Sequence, residues 1–357
     1  SGETLRSATA TFTSQESFFN THKSWRYRGQ QEPIDLVPTI PQVLGKEGML
    51  SYGVVQGEGL DPENKFGRGF ELYQFEEEDV LIEDLVDSFI TLLNPNASNQ
   101  FYYFHAHSLH RPYVNSEGLL NTTKAMTYTR GKNITGEIHN VNLRLQYKGR
   151  FKDLNFKENF DKVLFNVSAG AVRRNFTLED VEELHARYQK QVEYVDAAQV
   201  PLYTYLRKHF WNNSIIVFFS NHGEGLFDNG IIGHGVGYQA TTHVPLFIHH
   251  PKMDSAVVID TPISLVDLGP TIYDILGISV EHYVAGTSLL PLVVPEEGRK
   301  YKRKFIYGKD YQDSYIREGG WKLMVTGNRF LELYNLTVDP FEFHIVTQDH
   351  REIANRL

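Results

Sequence analysis

The chain has 357 residues, 41% of them hydrophobic and 22% charged, with 35 basic against 44 acidic side chains and a formal charge of −9. This balance describes a folded protein of one large domain with an appendage, or of two domains, and without a basic block to track a phosphate backbone it excludes nucleic acid as an expected partner. There is no cysteine, so disulfides and thiolate chemistry are excluded, and no apolar run approaches the ~18 residues of a membrane span.

Along the chain, apolar runs of strand character alternate with segments of helical period, the pattern of a parallel sheet covered by helices. "DLVPTIPQVLGKEG" (35–48) predicts a helix stopped by glycine, and "LSYGVV" (50–55) and "FYYFHAH" (101–107) predict strands. Residues 115–175, polar and rich in asparagine, predict a peripheral excursion on the surface. "TLEDVEELHARYQKQVEYVDAAQVPLYTYLRKHF" (177–210) predicts long helical structure with a bend or break at Pro201. "SIIVFFS" (214–220) and "VPLFIHH" (244–250) are further strands, and from residue 299 short runs joined by glycine turns predict a small antiparallel sheet closed by a last helix near "DHREIANRL".

Seven N-x-S/T sequons, at Asn96, Asn121, Asn133, Asn166, Asn175, Asn212 and Asn335, predict an exported, glycosylated protein outside the cell or at its surface. Ser1 does not open a signal peptide.

The chemistry concentrates at strand ends. Asn221 and His222 follow one predicted strand, with His234 in the glycine-rich loop beyond, while His105, His107 and His110 lie in or just after another. Ligands of open parallel sheets collect at the C-terminal ends of strands, so two such ends offering imidazoles predict a shared site. Taken singly, each of these histidines is more often a hydrogen-bonded structural residue than a ligand.

The order of the motifs carries a resemblance. "SNHGEG…GHG…HVPLFIHHP", followed by "SLVDLGPTIYDILGI", resembles the sulfatases of the alkaline phosphatase superfamily, with their "DHGE…HG…VPLI" segment and "DLAPTLLDLAGI"-like helix. "FHAHSLHRPY", "FGRGFELYQF" and "YIREGGWKLMV…LELYNLTVDPFE" are similar to further family segments in the same order. The resemblance implies an α/β fold with a mostly parallel sheet sandwiched by helices and a small C-terminal antiparallel sheet. Residues 1–298 would form the sulfatase-like core, with 115–175 as its insertion, and 299–357 a small α+β subdomain.

Residue by residue, the resemblance sets "TFTSQESFFNT" against the family's C/S-x-P-x-R nucleophile motif, with Thr11 at the nucleophile, Thr13 at the usual proline and Gln15 at the usual arginine. Threonine cannot become formylglycine, because its Cβ already bears a methyl group. The family's acidic metal ligand is replaced by Asn221, beside His222. The two carboxylates of a first strand would precede Ser1, and the substrate-gripping lysine and histidine fall near Gln56 and Glu58. The expectation is therefore a catalytically degenerate sulfatase-like domain with a structural or binding role and no cofactor. Its partners would be a second chain or a preceding segment completing the sheet, another copy of itself, or a surface glycan. The alternative is a metal-dependent hydrolase or transferase of sulfate or phosphate esters. There Thr11 would be the nucleophile, Asn221 and His222 would hold one divalent cation (Ca2+, Mg2+ or Zn2+), and His110, His234 and Lys309 would act on the ester.

Overall fold

A computed structural model describes residues 4–16, 37–57, 59–110, 178–226, 228–253, 255–295, 298–310, 313–326 and 330–357, with short strand stretches between 127 and 174. The predicted excursion over 115–175 lies largely outside the described residues, as do Asn121, Asn166, Asn175 and Glu58.

Strand β1 (Leu50–Gln56) organises the core, because its neighbours Val54 and Val55 point to opposite faces and both are fully buried. Val55 faces α1 (Thr4–Thr13), whose Leu5, Ala8 and Phe12 pack with Leu60 and Phe66. Val54 faces α3 (Ile82–Leu92) and α4 (Leu178–His209), meeting Leu85, Val86, Phe89, Ala198 and Leu202. α2 (Ile40–Lys46) opens on a capping box in which Thr39 and Gln42 satisfy each other's backbone donors. β2 (Leu72–Glu76) and β3 (Gln100–His105) flank β1 in parallel, in the order β2-β1-β3.

α1 is an unusual helix, polar in composition yet buried at all ten positions. Its threonines resolve that conflict locally. Thr9, Thr11 and Thr13 each donate a hydroxyl to the carbonyl four residues earlier, at 2.7, 2.9 and 2.7 Å. Phe12 supplies the apolar anchor, edge-on to the Tyr103 ring at 4.7 Å.

α4 runs unbroken through Pro201, contrary to the predicted bend or break. The position four residues before Pro201 is Ala197, small enough to limit the clash of the proline ring with that turn, and Ala198 and Leu202 are held against α3 on either side. The predicted strands 214–220 and 244–250 appear as β4 (Ile216–Phe219) and β5 (Leu246–His249), paired antiparallel rather than in the parallel sense of β1–β3. Between them, among the described residues, stand a short antiparallel hairpin (Gly225–Leu226 with Ile231–Gly233) and a helical turn, Gln239–Thr242, and no crossover helix of the length that parallel neighbours require.

α5 (Leu268–Leu276) ends on Gly277 in the left-handed conformation (φ 68°). Before α5, Asp267 is fully buried and accepts hydrogen bonds from Ser264 N, Thr287 N, Tyr301 and Arg303. Burial pushes this carboxyl up, and Arg303 opposes the shift. The loop it holds delivers Ala285 N to Ser14 O at 2.8 Å, at the end of α1.

β6 (Ile306–Lys309), β7 (Ser314–Glu318), β8 (Trp321–Thr326) and β9 (Phe330–Asn335) form a four-stranded antiparallel sheet in sequence order, followed by α6 (Arg351–Arg356). One buried ion pair welds it to the core. Lys322 Nζ lies 2.6 Å from Glu342 Oε1, both side chains at most 1% exposed, and Glu342 Oε2 accepts from the core amide Gln239 N. Burial pulls the Lys322 pKa down, and Glu342 resists.

Lys322→Met strands the Glu342 carboxylate in a dry environment and is expected to destabilise the fold by about 3–5 kcal/mol in urea denaturation, with the double variant Lys322→Met/Glu342→Gln recovering part of the loss. Unchanged stability in the single variant would contradict this weld.

Candidate functional site

The ends of β1, β3 and β4 and the start of α1 converge on a cluster of imidazoles. His107 and His110 stack with ring centroids 4.1 Å apart, His110 meets His234 at 4.8 Å, and His234 stacks on His222 at 4.3 Å. The structure thus brings together His107, His110, His222 and His234, which the sequence placed at two separate strand ends.

Glycine permits two of the close approaches. At Gly57 (φ +104°) an added Cβ would lie 2.6 Å from His107 Cγ, and at Gly223 it would lie 2.2 Å from Ala240 O.

Each polar group here has a partner that fixes its chemistry. His222 Nδ1 lies 2.8 Å from Gly223 O, which can only accept, so Nδ1 carries the proton. Neutral Nε2 is then an acceptor, and Thr4 Oγ1 donates to it at 2.9 Å. The backbone N–H of His222 donates to Asn221 Oδ1 at 3.0 Å, which settles the amide orientation, and the Asn221 carbonyl accepts from the Ser7 hydroxyl. Asn221 Nδ2 has no hydrogen-bond partner among the described residues. Burial, reinforced by His234, pulls the His222 pKa down to about 3, so the ring is neutral at physiological pH. Burial likewise holds His107 far below the usual histidine range, with His110 adding to the effect.

The second carboxylate-bearing layer is local. Glu224, 5% exposed, accepts from His234 Nδ1 at 3.2 Å, and Glu78 lies 3.5 Å from His107 Nδ1. Gln56, placed where the resemblance expects a substrate cation, is a structural clamp: its amide donates to Glu77 O and Val80 O and accepts from His107 N. His105 Nδ1 donates to Gln56 O at 2.9 Å.

Thr11 stands apart from this cluster. It is the eighth residue of α1, about 10 Å along the axis from Thr4, and its hydroxyl is spent on Ser7 O. The hydroxyl that faces His222 is that of Thr4. Lys309 closes β6, paired with Ser314 in the C-terminal sheet. Thr4 and Ser7 escape sequence reasoning because their only signal is the start of α1, which polar composition conceals. Glu224 was legible in "NHGEG".

A hard dication at this strand end would need anionic oxygen. Asn221 is neutral with its oxygen engaged, both nitrogens of His222 are committed within the chain, and Glu224 is held by His234. No three His, Asp or Glu side chains among the described residues are arranged to hold a metal ion. The described residues therefore do not fit the cation that the resemblance implies.

Comparison with known proteins places this geometry. The sulfatase family model matches residues 4–278, and the model of the N-sulphoglucosamine sulphohydrolase C-terminal region matches residues 224–357. Arylsulfatase K of Mus musculus is 26% identical over 197 residues, a match covering 51% of this chain and 36% of that protein. The chain spans about a third of the length of the curated relatives it matches. Among solved structures, a phosphonate monoester hydrolase from Silicibacter pomeroyi superposes with a TM-score of 0.70 at 18% identity, covering 99% of this chain and 84% of that one. A 2-O GAG sulfatase superposes with a TM-score of 0.68 at 17% identity, covering 99% and 80%. With a family model running from α1 to the end of α5 and this fold beneath it, the chain belongs to the sulfatase family.

Proposed function

We propose that this chain is the sulfatase-fold domain of an exported, N-glycosylated protein, and that it has lost the metal-dependent ester hydrolysis of its family in favour of a binding or structural role. Sulfatases of this family generally use a divalent metal ion. The observation that carries the reading is the pairing at the end of β4: Thr4 and Gly223 occupy both ring nitrogens of His222, and a neutral amide stands beside it. The neutral groups on either side of His222 offer a cation no anionic oxygen to offset its dehydration, and the nearby Glu224 carboxylate is engaged by His234.

The exported setting is supported by the sequons that fall on described residues. Asn96 and Asn212 are exposed, and Asn335 is partly so, at the end of β9. None of the described helices is long and apolar enough to cross a membrane.

We propose further that a strand from outside the described residues lies between β3 and β4, supplied by a preceding segment or a second chain. Support comes from the division of the core strands into β2-β1-β3 and β4-β5, which leaves one edge of β3 and one of β4 without a described partner. Those two edges present rows of backbone donors and acceptors that a supplied strand would pair.

Metal analysis of the purified protein is expected to find no stoichiometric calcium, magnesium or zinc, with a Tm indifferent to EDTA and no turnover of p-nitrophenyl sulfate. A bound dication together with EDTA-sensitive sulfatase turnover would overturn the reading. Digestion with an N-glycanase after secretion from eukaryotic cells should lower the mass and convert Asn96 and Asn212 to aspartate, and unmodified asparagine at both would contradict the surface assignment.

A further inference from the structure

Just beyond α4 the chain makes a tight turn whose two corner residues differ in chemistry. Asn213 N donates to Phe210 O at 3.2 Å, which places Trp211 and Asn212 at the corner. Phe210 anchors the turn in the core, with the Tyr102 and Tyr205 rings 6.3 and 6.2 Å away. Trp211 stays outside, 44% exposed. His249 of β5 fixes this indole, stacking on it with ring centroids 3.6 Å apart and pairing its Nε2 with Trp211 O at 2.7 Å. Asn212 is exposed and opens the sequon Asn212-Asn213-Ser214.

The rings continue along the sheet. On β5 the next residue on the His249 face is Phe247, about 7 Å along the strand. Phe218 of β4 stands opposite it with ring centroids 5.8 Å apart, and both phenylalanines are exposed, Phe247 at 64%. Trp211, His249, Phe247 and Phe218 thus form a strip of rings that begins beside a sequon. Contiguous exposed rings of this kind mark a contact surface.

Three observations name what lies on it. A sugar on Asn212 is tethered one residue from Trp211, at an effective concentration on the order of millimolar, enough to populate a weak contact. A pyranose has an apolar face of axial C–H groups that matches a flat ring, and hydroxyls at its rim. The exposed Arg207, whose guanidinium lies 5.9 Å from the centre of the Trp211 ring, supplies donors for those hydroxyls. The strip itself bears no carboxylate, so a neutral sugar covers it without desolvating an anion.

We propose that the N-linked glycan of Asn212 folds back onto Trp211 and His249, its first N-acetylglucosamine residues covering the strip toward Phe247. This rests on the exported, glycosylated reading above and adds to it the surface that receives the sugar. The glycan of Asn212 is then a packed part of the fold at the end of α4. That of Asn96 is not, because its turn carries no large exposed apolar residue.

The test is peptide mass mapping of the whole chain secreted from eukaryotic cells, followed by 1H–13C correlation of its N-acetyl methyl groups. Mapping is expected to find glycan on the peptide bearing Asn212. At least one N-acetyl methyl should then resonate upfield of the rest, because protons over the face of an indole are shielded. That signal should disappear in Ser214→Ala, which breaks the sequon, and return to the unshifted range in Trp211→Leu. Asn96→Gln should leave it in place. Circular dichroism checks each fold, and if Trp211→Leu does not fold, Ser214→Ala decides. A glycan on Asn212 with every methyl unshifted would overturn the docking alone, and is the result expected if polypeptide or a second copy covers the strip instead. An upfield signal that survives Ser214→Ala or folded Trp211→Leu would overturn it equally. Unmodified asparagine at position 212 would overturn both the docking and the surface reading beneath it, so the two failures are distinguishable.

Discussion

An imidazole has two nitrogens, and in His222 both are committed within the chain. Thr4 reaches Nε2 from the start of α1, and Gly223 takes the proton of Nδ1 from the same loop that His222 begins. The consequences spread outward along the backbone. Asn221 is turned to cap the His222 amide and accepts from Ser7, so α1 is seated against the end of β4 by two hydrogen bonds one helical turn apart. Because α1 also covers the Val55 face of β1, the same contacts that complete the site hold a wall of the core. Site and scaffold here are one hydrogen-bonded unit, and neither can open without the other.

The distribution of buried charge follows the same division. Where the chain buries carboxylates for architecture it pairs them fully, as with Asp267 and Arg303 beneath α5 and Glu342 and Lys322 beneath the C-terminal sheet. At the strand ends, where the family places a cation, the described groups are imidazoles pushed to the neutral form by burial and by one another. Desolvated imidazoles side by side are tolerated only while uncharged.

Much of this was legible in the residues. The strand ends, the long helix to His209, the four C-terminal strands and the family itself follow from apolar period, glycine turns and motif order, because those features express packing that is uniform along an element. The convergence of His110, His222 and His234 was legible too, since strand ends in such a sheet share one edge. What escaped was local and non-periodic. Thr11 stood out as a hydroxyl in a motif register, yet only the start of α1 decides which threonine faces the pocket, and back-bonding hydroxyls hide a helix whose composition reads as loop. Pro201 signalled a break that packing against α3 overrode. The antiparallel return of β5 depends on what the connection lacks, which residue patterns do not express.

The tautomer of His222 tests the central claim most directly, and long-range 1H–15N correlation of the ring reads it in solution. The account predicts a protonated Nδ1 and an acceptor Nε2 near neutral pH, with both nitrogen shifts unmoved by millimolar Ca2+, Mg2+ or Zn2+. A ring protonated at Nε2 instead, or one whose shifts follow an added cation to saturation, would contradict it.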